Sequence, residues 1–259
     1  MRKPIVAGNW KMYKTPQQAA DYCEALLAVP DLVQDAAQID VLICPPAIDL
    51  HVLNEHFKGG PIKVGAQNIH DQHEGAYTGQ LAFQMIRELV SYVLLGHSEV
   101  RKHLGETDAQ INAKVKLVLT AGVRPIIAVG ESLEQRNAGA AQSIVNGQVA
   151  AALEGVMPDS AANLVIAYEP IWSIGTGVPC NPQDANTMIG STRAHIGSLL
   201  GEDAAAQVRI QYGGSVKPDN MEAYMSQPEI DGALIGGASL KVDDFVTLIR
   251  LAIKAKHPL

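Results

Sequence analysis

The chain has 259 residues, a net charge of −7 and an apolar content of 47%. This composition is typical of a globular protein with a large core, and a single α/β barrel has a length of about 250 residues. Acidic and basic residues are interspersed, which gives no support for binding to nucleic acid, since that usually needs a basic face. An anionic substrate remains compatible with the sequence, provided that local donors offset the negative net charge.

The N-terminus and the cysteines indicate the cellular compartment. Residues 1–10 lack an apolar region long enough for a signal peptide, and no run approaches the roughly 18 apolar residues of a membrane span. Cys23, Cys44 and Cys180 are widely spaced and form no CxxC or Cys/His metal pattern. We therefore expect free thiols, no membrane association and a cytoplasmic location.

Eight repeats of one pattern follow along the chain: a short apolar run, a polar or glycine-rich turn, and a longer amphipathic segment. The near-continuous apolar runs favour parallel strands that are buried on both faces. The predicted strands are 5–8, 40–44, 63–66, 92–95, 125–129, 164–168, 209–212 and 232–235. The predicted helices are 17–29, which opens with a Thr15 cap and Pro16, then a short and less regular segment at 48–57, and then 80–89, 108–121, 138–156, 183–200, 219–225 and 242–256.

Alternation of eight strands with eight helical segments predicts the architecture. Each unit has about 32 residues, close to the roughly 30 residues of one βαβ step. Strands that alternate with helices form a parallel sheet, and eight of them favour closure into a (β/α)8 barrel. The rival is a doubly wound open sheet, which more often has five or six strands. No linker divides the chain, so we expect a single domain over 1–259.

Titratable side chains follow several predicted strands, at the end of the barrel where active sites of this fold lie. Lys11 follows the first strand, His97 the fourth and Glu169 the sixth. Taken one at a time, each has a simple structural interpretation: Lys11 as a solvated surface residue, His97 as a structural histidine, and Glu169 as a carboxylate that caps the next element. Together they predict proton chemistry: the carboxylate removes a carbon-bound proton, and the imidazole and ammonium groups stabilise charge on the neighbouring oxygen.

Glycine pairs follow the last two strands, in 213–215 (Gly-Gly-Ser) and at Gly236 and Gly237. Backbone N–H groups approach a ligand closely at such positions, and barrels often hold a phosphate after strands seven and eight. One pair alone would favour simple tight turns. Two pairs on successive strands shift the prediction towards a phosphate site.

Two loops are predicted to serve the site. The segment 170–179 runs from Pro170 to Pro179 and contains Gly175 and Gly177, a composition that suits a lid. The connection 67–79 is much longer than a common βα loop of about 2–6 residues, so that it either covers the active site or reaches into a partner chain. A self-packed surface loop is the alternative.

No competing catalytic motif is present. The sequence has no Walker A motif, no GxSxG and no HExxH, and Cys180 stands where a dinucleotide-binding motif starting at Gly175 would need its third glycine. No cluster has clear metal-ligand spacing.

At these residues the chain resembles the triosephosphate isomerase family. The resemblance extends from near one end to the other, and each of its stretches is short while the set is highly specific. The matching stretches are 8–12 (Gly-Asn-Trp-Lys-Met), 65–68 (Gly-Ala-Gln-Asn), 95–99 (Leu-Gly-His-Ser-Glu), 167–172 and 174–177 around the lid, 212–216 (Tyr-Gly-Gly-Ser-Val) and 236–240 (Gly-Gly-Ala-Ser-Leu).

The resemblance implies a TIM barrel that interconverts dihydroxyacetone phosphate and D-glyceraldehyde 3-phosphate without cofactor or metal, an isomerase of glycolysis and gluconeogenesis. It implies Glu169 as base, His97 as electrophile and Lys11 as electrostatic stabiliser beside the substrate. It further implies a homodimer through the loop 67–79, with Thr78 supporting the neighbouring site. The remaining residues that it implies are Asn9 beside the substrate, Gly175, Ser215, Gly236 and Gly237 around the phosphate, and Glu99 in support.

Departures from the family pattern leave the implied catalytic groups intact. The lid ends in 178–180 (Val-Pro-Cys), where Pro179 restricts a hinge that must change its backbone angles. Two other functions stay open at this point. One is another phosphate-binding barrel enzyme, an aldolase or a synthase, although a Schiff-base aldolase needs a lysine where Glu169 stands. The other is a non-catalytic barrel that binds phosphosugars.

Overall fold

A closed barrel of eight parallel strands forms the centre of the computed structural model, which describes residues 2–176 and 179–256. The strands pair in sequence order, and β1 closes the barrel by pairing with β8. This confirms the (β/α)8 barrel and excludes the open sheet. The strands, each within one residue of its prediction at either end, are β1 (Ile5–Asn9), β2 (Asp40–Cys44), β3 (Ile62–Ala66), β4 (Tyr92–Leu95), β5 (Arg124–Val129), β6 (Val165–Tyr168), β7 (Arg209–Tyr212) and β8 (Gly232–Ile235).

Helices surround the barrel. Thr15 caps the first of them together with Gln18, and Pro16 occupies its first turn, as the sequence predicts. In the described residues the α-helices are α1 (Pro16–Leu27), α2 (Leu32–Gln38), α3 (Leu50–Phe57), α4 (Phe83–Ile86), α5 (Ser98–Leu104), α6 (Asp108–Thr120), α7 (Leu133–Asn137), α8 (Ala141–Leu153), α9 (Pro182–Leu200), α10 (Glu202–Ala205), α11 (Met221–Met225) and α12 (Val242–Lys256).

Several helix predictions were wrong in extent. The helix predicted at 138–156 is shorter, because Gly139 has a φ of 72° and α8 begins only after it, at Ala141. A separate helix that was not predicted, α7, precedes Gly139 and begins with a capping box of Ser132 and Gln135. The segment 80–89 holds only α4 and a short 3-10 turn, since an isolated parallel bridge between His70 and Ala82 keeps the preceding chain extended.

Besides α7, three short helices were not predicted. Asp31 precedes α2 but does not act as a usual helix cap, since its φ is 63° and its side chain makes no cap hydrogen bond. The four-residue α10 is too short for a hydrophobic period. For α5 the cap is His97, whose ring nitrogen accepts from Glu99 N, and histidine is not among the residues that usually mark a helix start.

The core has two layers, which fits strands that are buried on both faces. One layer lies between strands and helices and includes Trp10, Tyr168 and Phe245, all fully buried. The other fills the barrel interior, so the barrel is packed rather than hollow. The interior layer consists of Ile5, Ala7, Leu42, Cys44, Tyr92, Leu94, Ile126, Ala128, Val165, Ala167 and Leu234.

Within residues 2–176 and 179–256, no helix combines the length and the apolar character that crossing a bilayer requires.

Candidate active site

A cavity of about 680 Å³ opens at the C-terminal end of the barrel strands. A pocket of this size accommodates a small metabolite. The expected site residues converge there, although they come from strands far apart in the sequence. The cavity is lined by Asn9, Lys11, His97, Glu169, Gly175, Ser215, Gly236 and Gly237, whereas Glu99 and Thr78 are not part of its lining.

Glu169 lies directly after β6 and is almost fully buried, with 2% of its surface exposed. Its Oε2 accepts a hydrogen bond from Ser98 N at 3.1 Å, and its Oε1 lies 3.0 Å from His97 Nε2. Pro170 ends the strand at this point. The carboxylate is thus held against the start of α5 in this conformation, rather than directed freely into the cavity.

His97 has a defined arrangement of its ring nitrogens. Nδ1 accepts from Glu99 N at 3.2 Å, which leaves Nε2–H as the donor towards Glu169 when the ring is neutral. Burial by itself lowers the pKa of the imidazole, but the Glu169 carboxylate outweighs this effect and raises the pKa above its ordinary value of 6.5. The proton that His97 can present to a ligand is therefore the one on Nε2.

Lys11 has left-handed backbone geometry, with a φ of 53°, which is uncommon for a residue other than glycine. Asn9 Oδ1 accepts from Lys11 N at 3.0 Å, and Gln67 Nε2 donates to Lys11 O at 2.8 Å. At the other end of the side chain, the ammonium group lies 2.6 Å from Glu99 Oε1. Although burial raises the pKa of Glu99, the bond from Lys11 lowers it below its ordinary value, so the ion pair persists to low pH.

Two glycines permit the close packing around Glu169. A Cβ atom at Gly130 would lie 1.7 Å from Glu169 O, and one at Gly213 would lie 2.9 Å from Glu169 Cγ. Any other residue at Gly130 would displace the backbone of the carboxylate. Sequence reasoning placed Gly213 after the seventh strand but predicted this role for neither glycine.

The opposite side of the cavity carries glycines and basic side chains. A Cβ atom at Gly237 would meet no atom within 4 Å, and one at Gly236 would meet only Lys11 Cε at 3.6 Å. This backbone is therefore open to a ligand. Lys217 and Lys241 also line the cavity and can approach an anion, while Asp219 and Asp244 in the same lining balance their charge.

The first half of the predicted lid is anchored by a buried carboxylate that sequence reasoning did not single out. Glu131 Oε1 accepts from Trp172 Nε1 at 2.9 Å and from Tyr168 OH at 3.1 Å. The guanidinium of Arg136 lies 4.8 Å from the centre of the Trp172 ring. This network fixes the 3-10 turn Ile171–Ser173 next to Glu169.

The far end of the lid is anchored by two tyrosines. Tyr212 OH accepts from Cys180 N at 3.3 Å, and Tyr224 OH donates to Cys180 O. The two rings stack with their centroids 4.1 Å apart. Gly175 has a φ of 72°, whereas the predictions that concern Gly177 and Val178 lie outside the described residues.

Thr78 lies exposed in the loop 67–79. Within one chain this loop is held by a hydrogen bond from His70 N to Leu81 O at 2.8 Å and by the contact of the His70 and Tyr77 rings at 4.3 Å. The loop does not bring Thr78 into the cavity of its own chain. Its expected supporting role therefore depends on a second chain and stays a prediction.

The sequence model of the family described as triosephosphate isomerase matches residues 4–252. The chain belongs to the triosephosphate isomerase family. It is 47% identical to the triosephosphate isomerase of Carboxydothermus hydrogenoformans over 98% of this chain and 100% of that protein, and 48% identical to that of Chloroflexus aurantiacus over 96% and 99%. The triosephosphate isomerase of Clostridium botulinum is 47% identical over 96% of this chain and 99% of that protein.

Membership of this family agrees with the resemblance seen in the sequence. Among the described residues, no three His, Cys, Asp or Glu side chains lie together in a group that could hold a metal ion. The three cysteines are free and buried. Of the residues that sequence reasoning missed, Gln67 had a usable signal, because it lies in one of the matching stretches.

Proposed function

We propose that this chain, as one catalytic domain, interconverts dihydroxyacetone phosphate and D-glyceraldehyde 3-phosphate without a cofactor. The observation that carries this proposal is the convergence of Glu169, His97 and Lys11 in one cavity beside an open, glycine-lined backbone. A phosphorylated three-carbon sugar has the two parts that this cavity suits: an anionic group and a carbonyl with an acidic neighbouring carbon.

Glu169 acts as the base. Its carboxylate removes a proton from the hydroxymethyl carbon of dihydroxyacetone phosphate, and the electrons of that C–H bond form the carbon–carbon double bond of an enediol(ate). Return of a proton to the neighbouring carbon gives the aldehyde. Because Glu169 bonds to Ser98 N and His97 in the resting conformation, substrate binding must release it from both.

This release also prepares His97. Once the carboxylate turns to the substrate, the contact that raises the pKa of the imidazole is lost, while Glu99 N still donates to Nδ1. The ring is then neutral and carries its proton on Nε2. It donates that proton to the substrate oxygen on which negative charge develops, and the ammonium group of Lys11 stabilises the same charge.

The phosphate lies on the opposite side of the cavity, at Ser215, Gly236 and Gly237, with Asn9 beside the carbon chain. Gly175 brings the lid to the same group. Closure of the lid 170–179 excludes water while the enediolate exists, which prevents the neighbouring phosphate from being eliminated. Glycolysis and gluconeogenesis in the cytoplasm are the setting that this reaction implies.

A homodimer completes the proposal. The loop 67–79 begins beside Lys11, since Gln67 Nε2 donates to Lys11 O. Large apolar side chains near this loop are exposed, and exposed apolar surface of this kind is typical of interfaces. They are Met12 with 93%, Tyr13 with 58%, Tyr77 with 47% and Met85 with 66% of the surface exposed. A second copy that covers them would bring its Thr78 towards Lys11.

A coupled assay of the purified chain tests the function. We expect dihydroxyacetone phosphate to be converted with a KM that rises sharply in Gly237→Asp, because the new carboxylate repels the phosphate at a position with space for it. Gly147→Asp is the matched control, since Gly147 on α8 is also exposed with no atom near a Cβ. Absence of turnover in the wild-type chain, or equal KM values in both variants, would contradict the proposal.

Sedimentation equilibrium tests the dimer separately. We expect the wild-type chain to sediment as a dimer and Thr78→Arg to sediment as a monomer with reduced turnover. A fully active wild-type monomer would contradict this part of the proposal while leaving the reaction intact.

A further inference from the structure

A second cavity, of about 730 Å³, lies at the N-terminal end of the barrel, opposite the active site. Three of its side chains belong to residues that start strands: Asp40 in β2, Arg124 in β5 and Arg209 in β7. Arg2 and Lys3, just before β1, complete its charged lining. We call this cavity the N-terminal pit. It shares no lining residue with the catalytic cavity.

The lining of the N-terminal pit has more positive than negative side chains. Asp40 is shared by Lys3 at 2.7 Å and Arg209 at 2.6 Å. Arg2 pairs with Asp231 at 2.7 Å, but Asp231 also pairs with Arg193 at 2.7 Å. Arg193 also pairs with Glu229 at 2.7 Å, so Asp231 and Glu229 together balance Arg2 and Arg193. Asp40 alone faces Lys3 and Arg209, and positive charge therefore remains here in a chain whose net charge is −7.

Arg124 makes the excess positive charge available to a ligand. Its Nη1 donates to Tyr92 OH at 3.1 Å, and its guanidinium lies 5.6 Å from the centre of the Tyr92 ring. Among the described residues it has no carboxylate partner within ion-pair distance. The side chain is half-buried, lines the pit and is held through Nη1, so its other N–H groups remain available to a ligand. A guanidinium fixed in this way binds phosphate oxygens in a bidentate manner.

We propose that the N-terminal pit binds a small oxyanion with several negative charges, of the di- or triphosphate class. Arg124 and Lys3 contact the anion directly, and Arg209 and Arg2 contribute to the field that attracts it. A single phosphate would engage only part of this set, whereas a chain of two or three phosphate groups spans several of the cations. The other interpretation of the same residues is a cluster of ion pairs that only stabilises the barrel, which is the usual role of residues at this end of the fold.

Calorimetric titration with tripolyphosphate at low ionic strength tests the proposal. We use Gly237→Asp as the background, so that the proposed phosphate site of the active centre is weakened and the pit is observed alone. We expect one tripolyphosphate site per chain. Arg124→Gln should weaken the binding of tripolyphosphate roughly tenfold or more, because a charge-assisted bidentate contact is lost. Lys3→Gln, which alters an exposed side chain, is expected to weaken binding too. Arg87→Gln, an exposed arginine elsewhere, is the matched control and should bind as the background does.

A second titration with ATP separates the sources of the oxyanion. Binding of ATP that is as sensitive to Arg124→Gln as that of tripolyphosphate assigns the pit to nucleotides; binding of tripolyphosphate alone assigns it to free phosphate chains. No binding of either anion, or equal binding by the background and by both pit variants, would overturn the proposal. Failure of the isomerase proposal would show instead in the coupled assay, where Arg124→Gln in the otherwise wild-type chain should keep full turnover.

Discussion

At the residue scale, the proposed catalytic side chains are held by groups that have no part in the proposed chemistry. The left-handed backbone of Lys11 is strained, and two hydrogen bonds offset this strain: Lys11 N donates to Asn9 Oδ1, and Gln67 Nε2 donates to Lys11 O. Gln67 also donates to Cys44 O at 3.0 Å, and so ties the ends of β1 and β2 together. Gln67 thus positions Lys11 without touching the substrate.

We expect Gln67→Leu to reduce kcat/KM roughly tenfold, because small displacements of a catalytic group are costly. The free energy of unfolding should fall by about 1–2 kcal/mol as two carbonyl groups lose their donor. Steady-state kinetics and urea titration measure both quantities. Gln38→Leu, an exposed change at the end of α2, should alter neither. Full activity of Gln67→Leu would show that Lys11 needs no such support.

The proposed catalytic residues carry a signal in the sequence, whereas their supports do not. Glu169 follows an apolar run and precedes a proline, which locates it at a strand end. The role of Gln67 depends on the φ of Lys11. The role of Gly130 depends on the lack of a Cβ atom, which would lie 1.7 Å from Glu169 O. Both are properties of the folded backbone, and no local pattern in the sequence encodes them.

At the element scale, the lid is fixed at both ends by hydrogen bonds from neighbouring strands and helices. Glu131 after β5 holds Trp172, and Tyr212 in β7 and Tyr224 in α11 hold Cys180. Any motion of the proposed lid has to be accommodated between these anchors, where Pro179 limits the rotation of the backbone. The sequence revealed Pro179, but the anchors come from elements distant in the chain and needed the structure.

We expect Pro179→Thr to change kcat more than it changes stability. Threonine restores rotation about φ in the hinge, while the loss of proline lowers the free energy of unfolding by only about 0.5–1 kcal/mol. The measurement is kcat over a range of temperatures. Pro158→Thr, at the start of a 3-10 turn away from the cavity, controls for the loss of a proline alone. Equal kcat values for the wild type and Pro179→Thr at every temperature would show that the stiffness of the hinge is irrelevant.

At the scale of the whole molecule, the two ends of the barrel have different chemistry. The C-terminal end holds Glu169, His97 and Lys11, which the proposed reaction requires to change partners. At the N-terminal end, ion pairs join the strand starts, and Asp40 is their centre. Burial raises the pKa of Asp40, but hydrogen bonds from Lys3 and Arg209 outweigh this and lower it below its ordinary value of 3.8.

This shift has a consequence for stability. Because the pKa of Asp40 is lowered in the folded chain, its contribution is fully present above pH 3.8 and is lost as the pH falls through the folded value. We expect Asp40→Asn to cost about 2 kcal/mol at pH 7, since Arg209 keeps its buried charge without a partner. Urea titrations at several pH values should show this difference shrinking below pH 3.8. Asp159→Asn, an exposed change, serves as the control; a difference that does not depend on pH would contradict the account.

The central claim is that the Glu169 carboxylate moves a carbon-bound proton, and hydrogen exchange with solvent tests it most directly. Dihydroxyacetone phosphate is incubated in D2O with the wild-type chain, with Glu169→Gln and with the exposed-site control Glu134→Gln, and deuterium at carbon is followed by proton NMR. The wild type and Glu134→Gln should introduce deuterium, whereas Glu169→Gln should slow its entry roughly a thousandfold while remaining folded. Deuterium entry at the wild-type rate in Glu169→Gln would contradict the account.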